Sequence, residues 1–167
     1  MNEYINLDEK NIDEEHICCA IGDPKHQDGV DKKKEWIKSK LKDGHVFRKL
    51  NARGKIFIEY EPIETAWVPI KGKNYMHIYC LWVAGSFKGK GIAKELLEYA
   101  INDSKEKGKS GICTLVSKKK KPFLGAHVQQ KKRILKICLH HWKCIFKPMV
   151  SMLRTTSGIY TMLISKS

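Results

Sequence analysis

Residues 74–104 read NYMHIYCLWVAGSFKGKGIAKELLEYAINDS, and this stretch decides the fold. Its first part, Tyr75–Val83, is apolar, β-branched and aromatic, which predicts a buried strand. A glycine-bearing turn follows over residues 84–91, and the remainder to Ser104 contains no helix-breaking residue. The stretch therefore predicts a strand, a turn and a helix in succession.

The turn has the composition of a phosphate-binding site. The first backbone N–H groups of a helix have no partner within it, and the helix macrodipole places partial positive charge there. Gly89 and Gly91 remove the side chains that would keep a phosphate away from these amides, and Lys88 and Lys90 add positive charge. The sequence therefore predicts that this turn binds an anion.

The helix after the turn is amphipathic and predicts a sheet beneath it. Its apolar residues are spaced three and four apart: Ala93, Leu96, Leu97, Ala100 and Ile101. The next apolar run, residues 112–116, predicts another strand. Because a crossover helix separates the two strands, they are expected to lie parallel to each other.

The first 70 residues predict two helices and a β-meander. Helices are expected over residues 8–21 and 30–42, and strands over residues 45–50, 54–62 and 65–69. In the middle strand Ile56 and Ile58 alternate with Glu59 and Glu61, so the carboxylates are expected to project away from the apolar face or from the strand end.

Composition indicates one globular domain over residues 1–167, because 42% of the residues are hydrophobic. The acidic N-terminus has no apolar signal region, and no apolar run is long enough to span a membrane. Six cysteines without an export signal indicate reduced thiols. We therefore expect a cytoplasmic protein that does not engage membranes.

The positive charge is confined to the end of the chain. Residues 1–106 contain 18 Lys/Arg and 18 Asp/Glu, whereas residues 107–167 contain 14 Lys/Arg and no acidic residue. A segment of that length would ordinarily hold roughly seven acidic residues. The composition therefore changes abruptly close to Glu106.

The strand, the turn SFKGKGIA at residues 86–93 and the helix resemble the acyl-CoA motif of the GNAT superfamily of N-acetyltransferases. In detail the chain resembles bacterial members of the YoaP-like type, over about residues 15–124. The segments HVFRKLNARGKIFIEYEP, AWVPI, NYMHIYCLWVAG, KGKGIAKELL and KKKPFL carry that resemblance. Ser86 departs from it, since the superfamily usually has Gln or Arg there.

The resemblance implies an α/β (α+β) fold with a GNAT-like mixed central sheet. In that fold an antiparallel meander is followed by a splayed parallel strand pair with a crossover helix. Residues 1–124 are recognisable, whereas residues 125–167 form a divergent basic tail that does not match the family. The acidic residues end at Glu106 and the resemblance to the family ends near residue 124. Together these two changes suggest a reading-frame change near codon 125.

The resemblance also implies the reaction, in which a primary amine attacks the thioester of acetyl-CoA directly in a ternary complex. The strand backbone would bind the pantetheine arm and the turn would bind the phosphates. The implied cofactor residues are Leu81, Trp82, Val83, Ser86, Phe87, Lys88, Gly89, Lys90, Gly91, Ile92 and Ala93. The acceptor is expected to be a small-molecule or peptide amine, and the protein a monomer or homodimer.

The amine must lose a proton before it attacks. For an amine of pKa about 10.4 this costs around 4.6 kcal/mol at pH 7, and a carboxylate can accept the proton. The candidate bases are Glu59, Glu61 and Glu64, of which Glu61 and Glu64 are expected to be better placed than Glu59, which can simply face solvent. The family often protonates the departing thiolate with a tyrosine, a role that Tyr160 would take.

Three alternatives stay open at this point. In the first, the protein binds CoA but is catalytically impaired, because its tail does not match the family. The basic segment 107–167 can bind nucleic acid through interleaved lysines and aromatic residues, although no nucleic-acid fold accompanies it. Cys138, His140, His141 and Cys144 have the ligand types of a zinc site, but four ligands from one short segment do not easily surround an ion, so no metal is expected.

Overall fold

The computed structural model describes residues 2–17, 27–68, 70, 72–117, 148–154 and 159–166, and for residues 115–117, 148–154 and 159–166 the backbone alone. Within these described residues, two α-helices lie among seven strands. The helices are α1 (Gln27–Leu41) and α2 (Ile92–Glu106). The strands are β1 (Tyr4–Asn6), β2 (Val46–Leu50), β3 (Ile56–Pro62), β4 (Tyr75–Val83), β5 (Gly111–Ser117), β6 (Pro148–Arg154) and β7 (Ile159–Lys166).

The strands form one mixed sheet in the order β1-β2-β3-β4-β5-β7-β6. Neighbouring strands are antiparallel except β4 and β5, which are parallel and are connected through α2. The antiparallel meander, the parallel pair and the crossover helix confirm the predicted fold class.

The parallel pair separates part of the way along the strands. Pairing between β4 and β5 begins at Tyr75 and Gly111 and ends at Ile78 and Thr114. Beyond that point β4 stays paired with β3, whereas β5 stays paired with β7 as far as Ser117. Residues 79–83 of β4 therefore have no paired strand on the side of β5, and we call this unpaired side the open edge.

A β-bulge lies on β4 where the open edge begins. Glu59 of β3 is opposite Cys80, but the next residue, Tyr60, is opposite Ile78, so Tyr79 has no counterpart on β3. A bulge of this kind shifts the alternation of side chains by one residue. The α2 face of β4 therefore carries even-numbered residues before Tyr79, such as Met76 and Ile78, and odd-numbered residues after it, such as Leu81.

Both faces of the sheet are covered. On one face α2 packs against Ile58, Met76 and Ile78 through the stripe that the sequence predicts, with Leu96 and Leu97 among its buried members. On the other face α1 and the N-terminal segment pack against β2 and β3 through residues that include Leu7, Ile12, Ile17, Ile37, Phe47 and Phe57. The carboxylates of β3 thus lie under a helix.

Two expected elements are wrong. Residues 8–15 form turns instead of the start of a helix, because the Asp8 carboxylate accepts the N–H groups of Lys10 and Asn11 at 2.8 and 3.0 Å and so closes a local turn. Residues 65–68 form no strand. The second predicted helix is confirmed, beginning three residues earlier than expected, at Gln27.

Within the described ranges, no helix is long and apolar enough to cross a membrane.

Candidate functional site

The glycine turn between β4 and α2 forms an open pocket of about 250 Å³. Gly89 and Gly91 have φ angles of 83° and 82°, a left-handed conformation that other residues adopt at a cost. A Cβ atom on either glycine would project into open space. The pocket is lined by Val83, Phe87, Lys88, Gly89, Gly91, Ile92, Ala93 and Lys94.

The backbone amides of the turn are available to a ligand. Gly91 precedes α2 without a side-chain cap, and the N–H groups of residues 89–93 have no backbone partner in the part of the chain that the structure describes. Unpaired amides at a helix N-terminus favour an anion, and the lysines of the turn add charge. These residues fit a phosphate group.

The open edge joins this pocket to a second one. Its backbone runs from Tyr79 to Val83, a distance of about 13 Å at 3.3 Å per residue. Val83 lines the glycine-turn pocket, and Tyr79 lines a larger cleft on the α1 face. Unpaired strand groups along this path can hydrogen-bond an extended ligand.

The structure gives the predicted cofactor residues different surroundings. Leu81 is buried in the core beneath α2, so only its backbone can face a ligand, and Trp82 packs on the α1 face. Ser86 is exposed and does not line the glycine-turn pocket. Lys90 lies over the ring of Phe87, with Nζ 5.7 Å from the ring centroid.

The cleft on the α1 face has a volume of about 640 Å³ and aromatic walls, and we call it the aromatic cleft. Trp67 is its most exposed wall, with 85% of its surface accessible. The bulge places Tyr79 and Cys80 in the cleft together, although they are consecutive in sequence. The lining residues are Lys32, Lys33, Trp36, Glu59, Trp67, Tyr79 and Cys80.

Glu59 is the carboxylate in the cleft wall, and the expectation that it faces solvent is wrong, because it is only 3% exposed. Lys33 Nζ lies 2.8 Å from its Oε2, and His45 Nε2 lies 3.4 Å from its Oε1. Burial alone would raise the pKa of Glu59, but the neighbouring His45 and Lys33 outweigh it and hold the pKa below its ordinary value. Glu59 therefore carries a stable negative charge.

Glu61 lies behind the cleft wall and is 0% exposed. Its Oε2 is 3.2 Å from His45 Nδ1, and its Oε1 accepts the hydrogen bond that the Tyr79 hydroxyl donates. Burial lowers the pKa of His45, but the carboxylates of Glu59 and Glu61 outweigh burial and raise it above its ordinary value. His45 thus bridges both glutamates.

Of the other two predicted catalytic residues, Glu64 does not line the aromatic cleft, and only the backbone of Tyr160 is described. Glu64 is exposed and accepts hydrogen bonds from the Asn74 N–H at 2.6 Å and from Lys109 Nζ at 3.2 Å. Tyr160 is paired through its backbone with Val116 of β5, and its side chain lies outside the described part. The cysteine and histidine cluster at residues 138–144 also lies outside the described residues, so its role stays a prediction.

Sequence reasoning missed His45 and Lys33 as members of this cluster. His45 immediately precedes β2 and Lys33 lies on α1, so they are 14 and 26 positions from Glu59. No periodic pattern links residues so far apart. One signal is present in the sequence, namely the two carboxylates Glu59 and Glu61 on the predicted strand 54–62. If a helix covers such carboxylates, cationic side chains must lie beside them, because a buried charge is costly without a partner.

Comparison with protein families gives one match that spans most of the chain. The model described as the acetyltransferase (GNAT) family matches residues 12–122. A Bacillus subtilis (strain 168) protein described as an uncharacterized N-acetyltransferase, YoaP, is 46% identical over 121 residues, which are 72% of this chain and 48% of that protein. The chain therefore spans about half the length of this relative.

Solved structures share the fold. The PaiA N-acetyltransferase of Thermoplasma acidophilum, determined in complex with coenzyme A, superposes with a TM-score of 0.58 at 16% identity and covers 99% of both chains. The ribosomal-protein-alanine N-acetyltransferase of Brucella melitensis superposes with a TM-score of 0.58 at 13% identity and covers 98% of both chains. At these identities the likeness concerns the fold alone.

Proposed function

This chain belongs to the acetyltransferase (GNAT) family, and from that membership we propose that it transfers an acetyl group from acetyl-CoA to a primary amine. The amine attacks the thioester carbonyl directly while both substrates are bound. The acceptor is a small molecule or a peptide, and the reaction takes place in the cytoplasm, where acetyl-CoA is available.

The open edge is the observation that carries this proposal. It runs between the aromatic cleft and a pocket with free backbone amides and two lysines, Lys88 and Lys94. In the proposed complex the turn residues hold the phosphates, and the unpaired backbone of residues 81–83 holds the pantetheine arm. Acetyl-CoA supplies the thioester, and the aromatic cleft receives the amine.

The amine is protonated at neutral pH, so a carboxylate near the cleft must take up its proton. Glu59 lines the cleft, Glu61 lies behind its wall and Glu64 lies elsewhere, which favours the first two as bases. For the departing thiolate we assign the proton donor to Tyr160, whose backbone pairs with β5 beside the open edge. Positioning of the two substrates accounts for much of the remaining acceleration.

Thermal unfolding with and without CoA tests the cofactor site. Binding to the folded state stabilises it by about 2.7 kcal/mol when the ligand is at 100 times its Kd, so the Tm rises. The variant Gly89→Glu places a negative side chain in the pocket and should abolish the shift. No shift of the wild-type Tm at millimolar CoA would contradict the proposal.

Gly108→Glu is the matched control for this variant. Gly108 also has a positive φ, of 66°, and a Cβ there would likewise meet open space, so both substitutions incur the same kind of backbone strain. It follows α2 at the opposite end from the glycine turn. The Gly108 variant should therefore lose stability comparably and keep the CoA shift.

Thiol release from acetyl-CoA with a panel of primary amines tests the reaction itself. Release that depends on both substrates supports acetyl transfer and identifies the acceptor class. A protein that CoA stabilises but that releases no thiol with any amine would be a CoA-binding protein without transferase activity.

A further inference from the structure

A chain of hydrogen bonds and ion pairs runs behind the aromatic cleft, from Tyr79 through Glu61, His45 and Glu59 to Lys33. Both ends of this chain line the cleft. Its inner members, Glu61 and His45, have side chains that are wholly buried, so an acceptor cannot touch them. Any proton exchange between the acceptor and Glu61 must therefore pass through a neighbouring group.

Tyr79 is placed to be that group. Its hydroxyl donates to the carboxylate of Glu61 and accepts the N–H of Trp67 at 2.8 Å. A hydroxyl oxygen has a second lone pair, which is left to accept a proton from a ligand in the cleft. Tyr79 is also the bulged residue, one position beyond the last pair between β4 and β5, so it stands at the beginning of the open edge.

On the basis of the proposed function, we propose that Tyr79 relays the proton of the acceptor ammonium to Glu61. The ammonium gives its proton to the Tyr79 oxygen as the Tyr79 hydroxyl proton moves to Glu61 Oε1. The amine is left neutral with its lone pair free to form the new bond to the acetyl carbon, and Glu61 is left as a carboxylic acid.

The relay keeps the carboxyl group of Glu61 hydrogen-bonded at both oxygens, although His45 Nε2 has no hydrogen-bond partner among the described residues. Once protonated, Glu61 donates back to the Tyr79 oxygen, so the hydrogen bond between them persists with its direction reversed. His45 still contacts the other oxygen of Glu61 at 3.2 Å. The network can therefore hold the proton until the product leaves, without exposing any of its members.

Glu59 is the competing acceptor and is less suited to the task. Two cations contact it, Lys33 at 2.8 Å and His45 at 3.4 Å, whereas Glu61 contacts one cation and a neutral phenol. Two neighbouring positive charges stabilise the ionised form of a carboxylate and oppose its protonation. The lowered pKa of Glu59 has the same consequence.

Comparing kcat/KM for two amines of similar shape but different basicity distinguishes proton removal from every other role of Tyr79. Ethylamine is almost wholly protonated at pH 7, whereas trifluoroethylamine is neutral and needs no base before it attacks. The variant Tyr79→Phe keeps the ring and removes the hydroxyl. We expect it to lower kcat/KM for ethylamine by about 10²-fold or more and to leave kcat/KM for trifluoroethylamine within about threefold.

The control is Tyr75→Phe, which removes a hydroxyl from the same strand at a residue that does not line the cleft. It should leave both amines unaffected. The CoA-dependent Tm shift of Tyr79→Phe should equal that of the wild type. Should Tyr79→Phe fail to fold, Glu61→Gln provides the second variant and should show the same selective loss.

Equal losses with both amines, or no loss with either, would overturn the relay while acetyl transfer itself remained demonstrated by the wild type. A wild type that releases no thiol with these two amines or with any amine of the panel would overturn the proposed function and the relay together. If only other amines of the panel react, two of those that differ in basicity take the place of this pair. A loss confined to ethylamine supports the relay, because a purely structural role cannot distinguish amines by their basicity.

Discussion

Tyr79 and Cys80 are consecutive residues of β4, yet both side chains line the aromatic cleft. Regular alternation would send one of them to the α2 face. The bulge between the pairs Glu59–Cys80 and Tyr60–Ile78 interrupts that alternation, so Tyr79 and Cys80 point to the same face. The cleft therefore contains the phenol of Tyr79, which donates a hydrogen bond to Glu61. The same bulge lets Met76, Ile78 and Leu81 all reach the core beneath α2.

Lys33 stabilises the fold by neutralising a buried carboxylate. The variant Lys33→Met leaves Glu59 with His45 as its one remaining cation among the described contacts. Because Lys33 is itself 30% exposed, we expect a loss of about 1–3 kcal/mol in the free energy of unfolding, less than for a fully buried pair. Urea unfolding at pH 7 measures it.

Lys32→Met is the control for this change on the same helix. Lys32 pairs with Asp28 at 2.9 Å, but the lysine is 72% exposed and its partner is exposed as well. Exposed pairs contribute little, so this variant should remain within about 0.5 kcal/mol of the wild type. Equal losses in the two variants would show that the buried position of Glu59 is not what makes Lys33 important.

His45 should make stability fall as the pH rises above its unfolded pKa. The pKa of His45 in the folded state is raised, so its contribution to stability is complete below the unfolded pKa of about 6.5 and is lost as the pH rises through the folded pKa. Urea unfolding across a pH series measures this. The variant His45→Gln should lack the fall and, below the unfolded pKa, should be about 3–5 kcal/mol less stable, since it leaves two carboxylates without their shared cation.

Trp67 should affect acceptor binding without affecting stability. Its side chain is 85% exposed in the cleft wall, and its contact with Tyr79 is made by the backbone N–H, which a substitution retains. We expect Trp67→Ala to change the free energy of unfolding by less than about 0.5 kcal/mol and to raise the KM for the acceptor by about fivefold. The KM for acetyl-CoA in the same variant is the internal control, and an equal rise in both constants would contradict the assignment.

The reading-frame hypothesis also stays a prediction. The family match ends at residue 122, and no acidic residue follows Glu106. We expect resequencing of the gene to reveal a shift near codon 125. An uninterrupted frame in several independent reads would rule it out and would make residues 125–167 a native, divergent part of the chain.

The sequence predicted the part of the fold that depends on neighbours in the chain. The strand Tyr75–Val83, the glycine turn and the helix were all predicted correctly, with α2 extending two residues further than expected, to Glu106. The N-terminal turns were mistaken for a helix because Asp8, read as part of a helix, instead accepts the N–H groups of its own turn.

Tertiary structure alone decided how the aromatic cleft is built. The carboxylates of Glu59 and Glu61 were expected on a polar face, and they do share a face, but α1 covers it and turns two ordinary strand residues into buried charges that require Lys33 and His45. The position of the bulge at Tyr79 depends on the register between β3 and β4, a long-range pairing that no local pattern specifies.

The amino-acid sequence by itself determined the family, the crossover topology and the glycine turn that we propose binds an anion, because a glycine-rich turn before an amphipathic helix presents its own backbone amides. The tertiary structure decided which carboxylate is buried and which tyrosine reaches it. Burial and hydrogen bonding depend on segments that are distant in the chain, and these segments meet only when the sheet and α1 have packed together.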